Sequence, residues 1–559
     1  MATSLQEPNA APESPPAEQE IPEYIIPPHG YNSPSSIAEE LKNLADANAS
    51  VSLIEIGKTA DGNPLRIAEF SGANSDDSSA GWPAILVVAN LEGDRLVASE
   101  VAMSLCRHLA DGEAAILQRA RVFVMPVANP DAATRAFAGS IPWRGAPTDD
   151  DRDGRIDEDG PFDLDGDGHL LWMRVPHPNG TFLIDEQDER VSREADSSDA
   201  EAGVFELLRE GSDLDGDRQR LEDGPGGVAV EANFPHRWQQ YAPEAGRFQL
   251  SEAESRALVD FVLMHPSITL AVVLDDEDNL AKPASGGDRT DKDSTEPLKD
   301  DAALLKLLGK RFYDNEDIEE PRGAEHGSGN FADWLYFQRG ILVLESAVWS
   351  APLDVKAAEE EDTGAEDAPA EESKPARDLT DEHKLMTWAD VWYRGTAFQD
   401  WQVFEHEEFG AVEVGGWMPL VLNNPPAELL PVLSDNFNSF IDSLTTDLPQ
   451  LRWSVEVTAL DDSGVFEARA YLVCDGLLPT MTAMGRATRL QMPIRVGLEL
   501  PSGGELLVGR SISSVERLVG LGDSSEFHWI YRIPAGADAA QIRATSKTAG
   551  EALTALEVK

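Results

Sequence analysis

The chain has 559 residues, 41% of them apolar, so it exceeds one ordinary core and is expected to form two or more domains. Acidic residues outnumber basic ones by 102 to 45, a formal net charge of −57. That balance argues against nucleic acid as a partner, keeps the chain soluble, draws cations to its surface, and would also suit a salt-rich habitat. No apolar run approaches the length of a membrane span. Cys106 and Cys474 lie too far apart for a disulfide framework and outside any zinc-type Cys pair, and they read as buried free thiols.

Residues 1–34 are rich in Pro, Glu and Ala and read as a disordered acidic tail. The start, MATSLQEPNAAPESPPAEQEIPEY, has neither a basic n-region nor an apolar stretch. With Met1 as the natural start the protein is expected to stay in the cytoplasm; if a leader was removed, it is exported. A helix is predicted from Ser35-Ser36, with Ile37, Leu41 and Leu44 on one face. The runs Ala84–Ala89 and Val122–Val127 read as buried parallel strands joined by a helix over Val97–Leu109. A further helix over Ser251–Met264 and strands at Leu270–Leu274 and Ile341–Leu344 extend the alternation. The expected fold is therefore α/β, a sheet covered by helices on both faces over residues 35–350, closed by residues 381–448. Residues 351–380 read as an acidic flexible loop. Residues 449–559 change to short alternating runs between Gly, Asp, Ser and Pro signals, which predicts a C-terminal β-sandwich with no chemical motif of its own.

An insert over residues 145–230 is dense in Asp and Gly. Asp149–Pro161 reads DDDRDGRIDEDGP, Asp213–Pro225 reads DLDGDRQRLEDGP, and Asp163–Gly168 between them reads DLDGDG. Carboxylates at alternate positions of a Gly-containing turn can point at one hard cation, and calcium accepts many oxygens in such a flexible arrangement. The first run opens like an EF-hand loop but carries Gly160 where the bidentate Glu belongs. Structural calcium is therefore expected at Asp149, Asp151, Asp153, Asp157, Asp159, Asp163, Asp165, Asp167, Asp213, Asp215, Asp217 and Asp223. Its role would be to brace an irregular insert with little apolar content.

Five stretches in order resemble the zinc carboxypeptidase (carboxypeptidase A/B-like) family, in particular long bacterial members with an acidic insert. They are ILVVANLEGDRLVASEVAMSLCRHL (85–109), PVANPD (126–131), GPGGVAVEANFPHRW (224–238), FQLSEAESRALVDFVLMHPSITLAVVL (248–274) and GSGNFADWLYFQRGILVLE (327–345). The resemblance implies a carboxypeptidase-like mixed sheet and metal-assisted hydrolysis of a C-terminal peptide bond, with zinc held by two His and one Glu. It also implies a Glu as general base and an Asn-Arg pair gripping the substrate carboxylate. Carried over, the zinc-ligand positions fall on Glu92, Arg95 and Asp275, and none matches. The carboxylate clamp falls on Glu231 and Ala232, followed by Asn233, and a substrate-covering Tyr on Glu325. The general base is kept as Glu345, and Arg144 stands where a second substrate-binding Arg is expected.

Glu92, Asp275 and Glu345, with Asp276 and Glu277 nearby, repel one another unless a cation lies among them. The Arg95 guanidinium is expected to stand in for the metal by pairing with Glu92, Asp275 and Glu345. The favoured reading is a catalytically impaired pseudo-peptidase, a binding or scaffold module that takes a peptide or protein in the former cleft and is stabilised by calcium. The alternatives are an active metallocarboxypeptidase with a non-standard ligand set, and an acidic calcium-dependent structural protein.

Overall fold

The computed structural model describes residues 26–72, 82–138, 145, 161–195, 202–212, 227–291, 293–315, 318–324, 327–353, 380–461 and 463–558. Helix α1 (Pro34–Ala47) begins at Ser33, whose hydroxyl accepts from Ser36 N, and it buries Ile37 and Leu41. The hairpin β1 (Val51–Lys58) and β2 (Pro64–Phe70) follows, then β3 (Ala84–Ala89), α2 (Leu96–Ala110), β4 (Arg121–Met125) and α3 (Pro130–Phe137). The insert supplies β5 (Trp172–Gly180), β6 (Phe182–Ile184), β7 (Ser192–Glu194) and β8 (Gly203–Arg209). The chain then runs through α4 (Ala253–Met264), β9 (Ile268–Leu274), α5 (Lys299–Phe312), α6 (Phe331–Asp333), which continues as a π-helical turn over Trp334–Gln338, and β10 (Leu342–Ser346). After α7 (Asp381–Tyr393) come β11 (Phe398–His406), β12 (Gly410–Trp417) and α8 (Leu430–Ser443).

The central sheet has the order β1-β2-β4-β3-β9-β10, antiparallel at the β1/β2/β4 edge and parallel from β4 through β10. Every residue of β3 and β9 is buried, because alternate side chains enter different cores. Ile85, Val87 and Ala89 pack with Val97, Val101 and Leu105 of α2 and with Phe437 of α8. Leu86 and Val88 face the other way, onto Leu258 and Phe261 of α4 and Trp334 of the π-helical turn. The expected α/β sheet covered on both faces is the fold observed.

Two expectations are corrected. Residues 26–33 are packed structure rather than disordered tail: Tyr31 is buried and donates its hydroxyl to Pro425 O at 2.6 Å, and Asn32 N donates to Glu100 Oε1 at 2.5 Å. The insert is not irregular either. Its strands β5–β8 join β11 and β12 in a second sheet of order β11-β12-β5-β8-β6-β7, around a small core of Met173, Val175, Val412 and Val414. Strands such as WMRVPHPNG carry Pro, Gly and Asn, which obscured the two-residue period. Residues 1–25 and 354–379, including most of the acidic loop, lie outside the described residues.

The C-terminal region forms β13 (Gln450–Ala459), β14 (Val465–Asp475), α9 (Ala483–Thr488), β15 (Ile494–Glu499), β16 (Glu505–Val508), β17 (Ile512–Val515), β18 (Asp523–Arg532), β19 (Gln541–Ser546) and β20 (Gly550–Ala555). These strands make two antiparallel sheets, β13-β14-β18-β16 and β17-β15-β19-β20, whose inner faces share Leu472, Trp529, Tyr531 and Ile542. The region is the predicted β-sandwich. It docks through α9, whose first amides, Ala483 N and Met484 N, donate to buried Asp301 at 2.9 and 3.0 Å.

Candidate functional site

Strand order reverses around β3: β4 lies on one side and β9 on the other. In open α/β sheets such a switch point leaves a crevice beyond the carboxyl ends of the strands, where ligands collect. Three chain segments leave the sheet there, Asn90–Arg95 after β3, Asp275–Asn279 after β9, and Glu345–Val348 at the end of β10. The β3 turn is tightly specified. Asn90 takes φ 59°, its Oδ1 accepts from Arg95 N at 3.1 Å, and its Nδ2 donates to Ser99 Oγ at 3.0 Å. Gly93 takes φ 92°, and a Cβ there would lie 2.4 Å from the Ala132 methyl, so only glycine fits. From α8's side, Asn424 accepts from Val97 N at 2.9 Å and donates to Asp94 O at 2.9 Å, fixing where α2 begins.

Asp275 is the hinge pin of this edge. Buried at the end of β9, its Oδ2 accepts from Leu91 N at 2.5 Å and Glu92 N at 3.1 Å. Burial first, then the charges of Asp276 and Glu92, push its carboxyl well above the ordinary range, while Arg95 pulls it back. The expected pairing of Arg95 is corrected. Its ion pairs among the described residues are with Asp94 and Asp276, both at 3.8 Å, rather than with Glu92, Asp275 or Glu345. Arg95 starts α2 and its side chain reaches across to the β9 end without hydrogen-bonding Asp275.

Glu345 anchors a second group of carboxyls. Its backbone N donates to Asn279 Oδ1 at 3.0 Å, and Asn279 Nδ2 donates to Glu345 Oε2 at 2.6 Å. Burial first, then the charge of Glu277, pushes its carboxyl above the ordinary range. Glu277 in turn accepts from Gly327 N at 3.0 Å and from Asn330 Nδ2. Glu231 Oε2 accepts from Phe331 N at 2.8 Å. Burial, then Glu277 and Asp333, raise Glu345; burial, then Glu277 and Asp275, raise Glu231. One electrostatic cluster therefore runs from Asp275 to Glu345, and it holds protons that free carboxylates would lose. Beside Glu345 opens a cavity of about 330 Å³, with Asp278, Asn279, Asp333, Tyr336, Phe337 and Val343 in its wall.

Not every predicted residue faces this cleft. Asn233 is fully buried and turned into the fold: its Nδ2 donates to Ala245 O, Phe248 O and Ser251 Oγ, and its Oδ1 accepts from Glu252 N and Ser255 Oγ. The substrate-binding role expected for Asn233 is corrected to a structural one. Arg144, Glu325, Asp149, Asp151, Asp153, Asp157, Asp159, Asp213, Asp215, Asp217 and Asp223 lie outside the described residues. Asn279, Asn330 and Asp333 were missed; for Asn279 the polar run DDEDN directly after a wholly buried strand was the available signal.

A family model described as zinc carboxypeptidase matches residues 37–345, and one described as a domain of unknown function matches residues 452–557. The chain belongs to the zinc carboxypeptidase family. Among solved structures it is similar to carboxypeptidase A from Helicoverpa armigera, at 15% identity over 56% of this chain and 64% of that one, TM-score 0.34. It is also similar to thrombin activatable fibrinolysis inhibitor, at 11% identity over 74% and 73%, TM-score 0.39. A metallo-carboxypeptidase from Burkholderia cenocepacia matches at 12% identity over 55% and 59%, TM-score 0.29. The chain thus spans less than two thirds of the Helicoverpa and Burkholderia chains. No curated protein matches. The family expects zinc, yet among the described residues only Asp163, Asp165 and Asp167, in the insert, bring three ligand oxygens within 4.8 Å of one another. The carboxylates and guanidinium at the sheet edge do not fit a two-His, one-Glu zinc. No helix among the described residues is long and apolar enough to cross a membrane, and nothing points to nucleic acid.

Proposed function

We propose that the chain is a peptide- or protein-binding module on the zinc carboxypeptidase fold, with hydrolysis impaired and the insert braced by calcium. The observation that carries the reading is the Arg95 guanidinium 3.8 Å from Asp94 and Asp276, at a position the family gives to a zinc ligand. A fixed cation there opposes a divalent ion beside it. Asp275, a second such position, spends one oxygen on two backbone amides. The clamp for a C-terminal carboxylate is replaced by Glu231, which offers that group no cation and suits a basic side chain instead.

The second reading, an active metallopeptidase with a non-standard ligand set, draws on Glu345. A carboxyl raised by burial beside other acids suits general acid–base work. Elemental analysis and hydrolysis of C-terminal residues, with and without added zinc, separate the two. We expect no stoichiometric zinc and no turnover. About one tightly bound zinc per chain, lost on changing Glu92 and Asp275, or turnover abolished in Glu345→Gln, would sink the first reading.

A further inference from the structure

The amino ends of β9 and β10, opposite the cleft, meet the C-terminal sandwich, and a cavity of about 120 Å³ opens in that seam. Four parts of the chain wall it. His265 ends α4, Arg339 ends the π-helical turn, Leu490–Met492 follow α9, and Lys547 stands in the turn between β19 and β20. The two regions are fastened together beside it. Gln491 Nε2 and Thr482 Oγ1 both donate to Gly340 O, at 2.9 and 2.6 Å. A Cβ on Gly340 would lie 2.3 Å from Gly485 Cα, so the backbones meet there directly.

The chain has 102 acidic and 45 basic residues, yet this wall contains no Asp or Glu. Among the described residues the Arg339 side chain makes no ion pair, and its Nε is buried without a hydrogen-bond partner. Burial lowers its pKa from the ordinary arginine value, and no neighbouring charge offsets that. Lys547 is exposed and has no acidic partner among the described residues. His265 is held by its Nδ1, which donates to Phe261 O at 2.7 Å, and by its ring, 4.0 Å from that of Phe261. A partly buried guanidinium without a counter-charge is costly, and an arriving anion offsets the cost. The rest of the wall is apolar. Val262 and Ile268 are buried, whereas Leu490 and Met492 are 52% and 72% exposed. Large apolar side chains left exposed at a pocket mark a surface that a partner covers.

We propose that this seam binds an acidic peptide segment of a partner protein, a Glu side chain meeting Arg339 and Lys547 while its apolar neighbours cover Leu490 and Met492. The guanidinium fork matches a carboxylate, and the methylene stem of Glu suits the apolar wall. An inorganic anion would satisfy the charge but leave Leu490 and Met492 uncovered. The site lies at the other end of the sheet from the cleft and does not depend on the reading given to that cleft.

The test is NMR of the full chain with carbon-13 methyl labels on methionine, the Met492 signal being assigned by its loss in Met492→Leu. The probes are acetyl-Leu-Glu-Leu amide, its Gln counterpart and inorganic phosphate. The Met492 signal is expected to shift saturably with the Glu peptide. The Gln peptide, and the variants Arg339→Gln and Lys547→Gln, are each expected to bind more weakly by on the order of 10-fold. Lys547 is exposed in a turn, so its variant carries the test if Arg339→Gln fails to fold. No saturable shift, equal binding of the Glu and Gln peptides, or wild-type affinity in the folded variants overturns the proposal. Phosphate binding as tightly as the Glu peptide overturns it too, by assigning the pocket to a free anion.

Discussion

Replacing Arg95 by Gln removes the cation that, among the described residues, spans the β3 turn and the end of β9. Each of its ion pairs spans 3.8 Å, to Asp94 Oδ1 and to Asp276 Oδ2. At that separation a unit pair is worth about 1 kcal/mol in water and about 4 kcal/mol at an effective dielectric of 20. The carboxylates are 20% and 23% exposed, so screening holds the value toward the lower figure. Removing Arg95 also withdraws the charge that lowers Asp275, whose carboxyl burial already raises. The expected loss is about 1–3 kcal/mol at pH 8. The sign with pH follows from protonation: a carboxyl whose folded pKa is raised is costly only when ionised, so the loss shrinks as pH falls through the raised value of Asp275. Urea unfolding at pH 5 and pH 8, with Arg95→Lys as the charge-conserving control, measures this. An unchanged midpoint at pH 8, or a larger loss at pH 5, refutes the view that Arg95 neutralises this edge.

Glu254, buried in the first turn of α4, is raised from 4.5 to about 7 by burial, then by Asp131, Glu252 and Asp61. Its contribution to stability is full below about pH 4.5 and is lost as pH rises through about 7, a span worth about 3 kcal/mol. Glu254→Gln should therefore stabilise the protein by about 1–3 kcal/mol at pH 8 and by little at pH 4.5, read from urea midpoints. Asn233→Ala should cost about 3 kcal/mol by stranding the buried groups that Asn233 holds, without changing ligand affinity in the folded fraction. A Lys- or Arg-rich peptide should bind more tightly at pH 8 than at pH 6 and release protons, since a cation favours the ionised forms of Glu231, Asp275 and Glu345. Calorimetry in buffers of different ionisation enthalpy reads that release; affinity independent of pH would place the peptide elsewhere.

The core strands were legible because they are buried on both faces: AILVVA and ITLAVVL admit few other readings. Helix α2 showed its periodicity, and the carboxylates of the site showed as polar residues directly after those strands. The second sheet did not show, since its strands are mostly half-exposed, and it pairs strands far apart in the chain, Glu413 beside Arg174. Asn233 misled for a related reason. A motif gives its position beside the cleft, but only the surrounding turns reveal that all its polar atoms are spent inward. Likewise the family resemblance brought Glu92, Arg95 and Asp275 together as a charge cluster, whereas the pairing of Arg95 with Asp276 and Asp94 showed only in the structure.

A chain carrying −57 must relieve its crowded carboxylates, and the cleft does so by three different means. Among the described residues, backbone amides hold Asp275, a guanidinium serves Asp276 and Asp94, and the Asn279 side-chain amide holds Glu345. These means differ in what they leave available for chemistry. A guanidinium offers fixed donors and no open coordination position, so it can settle a site without activating water. A carboxyl raised by burial, by contrast, keeps its proton more readily, and an arriving cation favours its loss, which is what the proposed binding asks of the Glu345 end. The cavity of about 330 Å³ opens at that end. The proposed recognition of a basic group therefore belongs at the Glu345 end, while the Arg95 guanidinium is already occupied by Asp94 and Asp276.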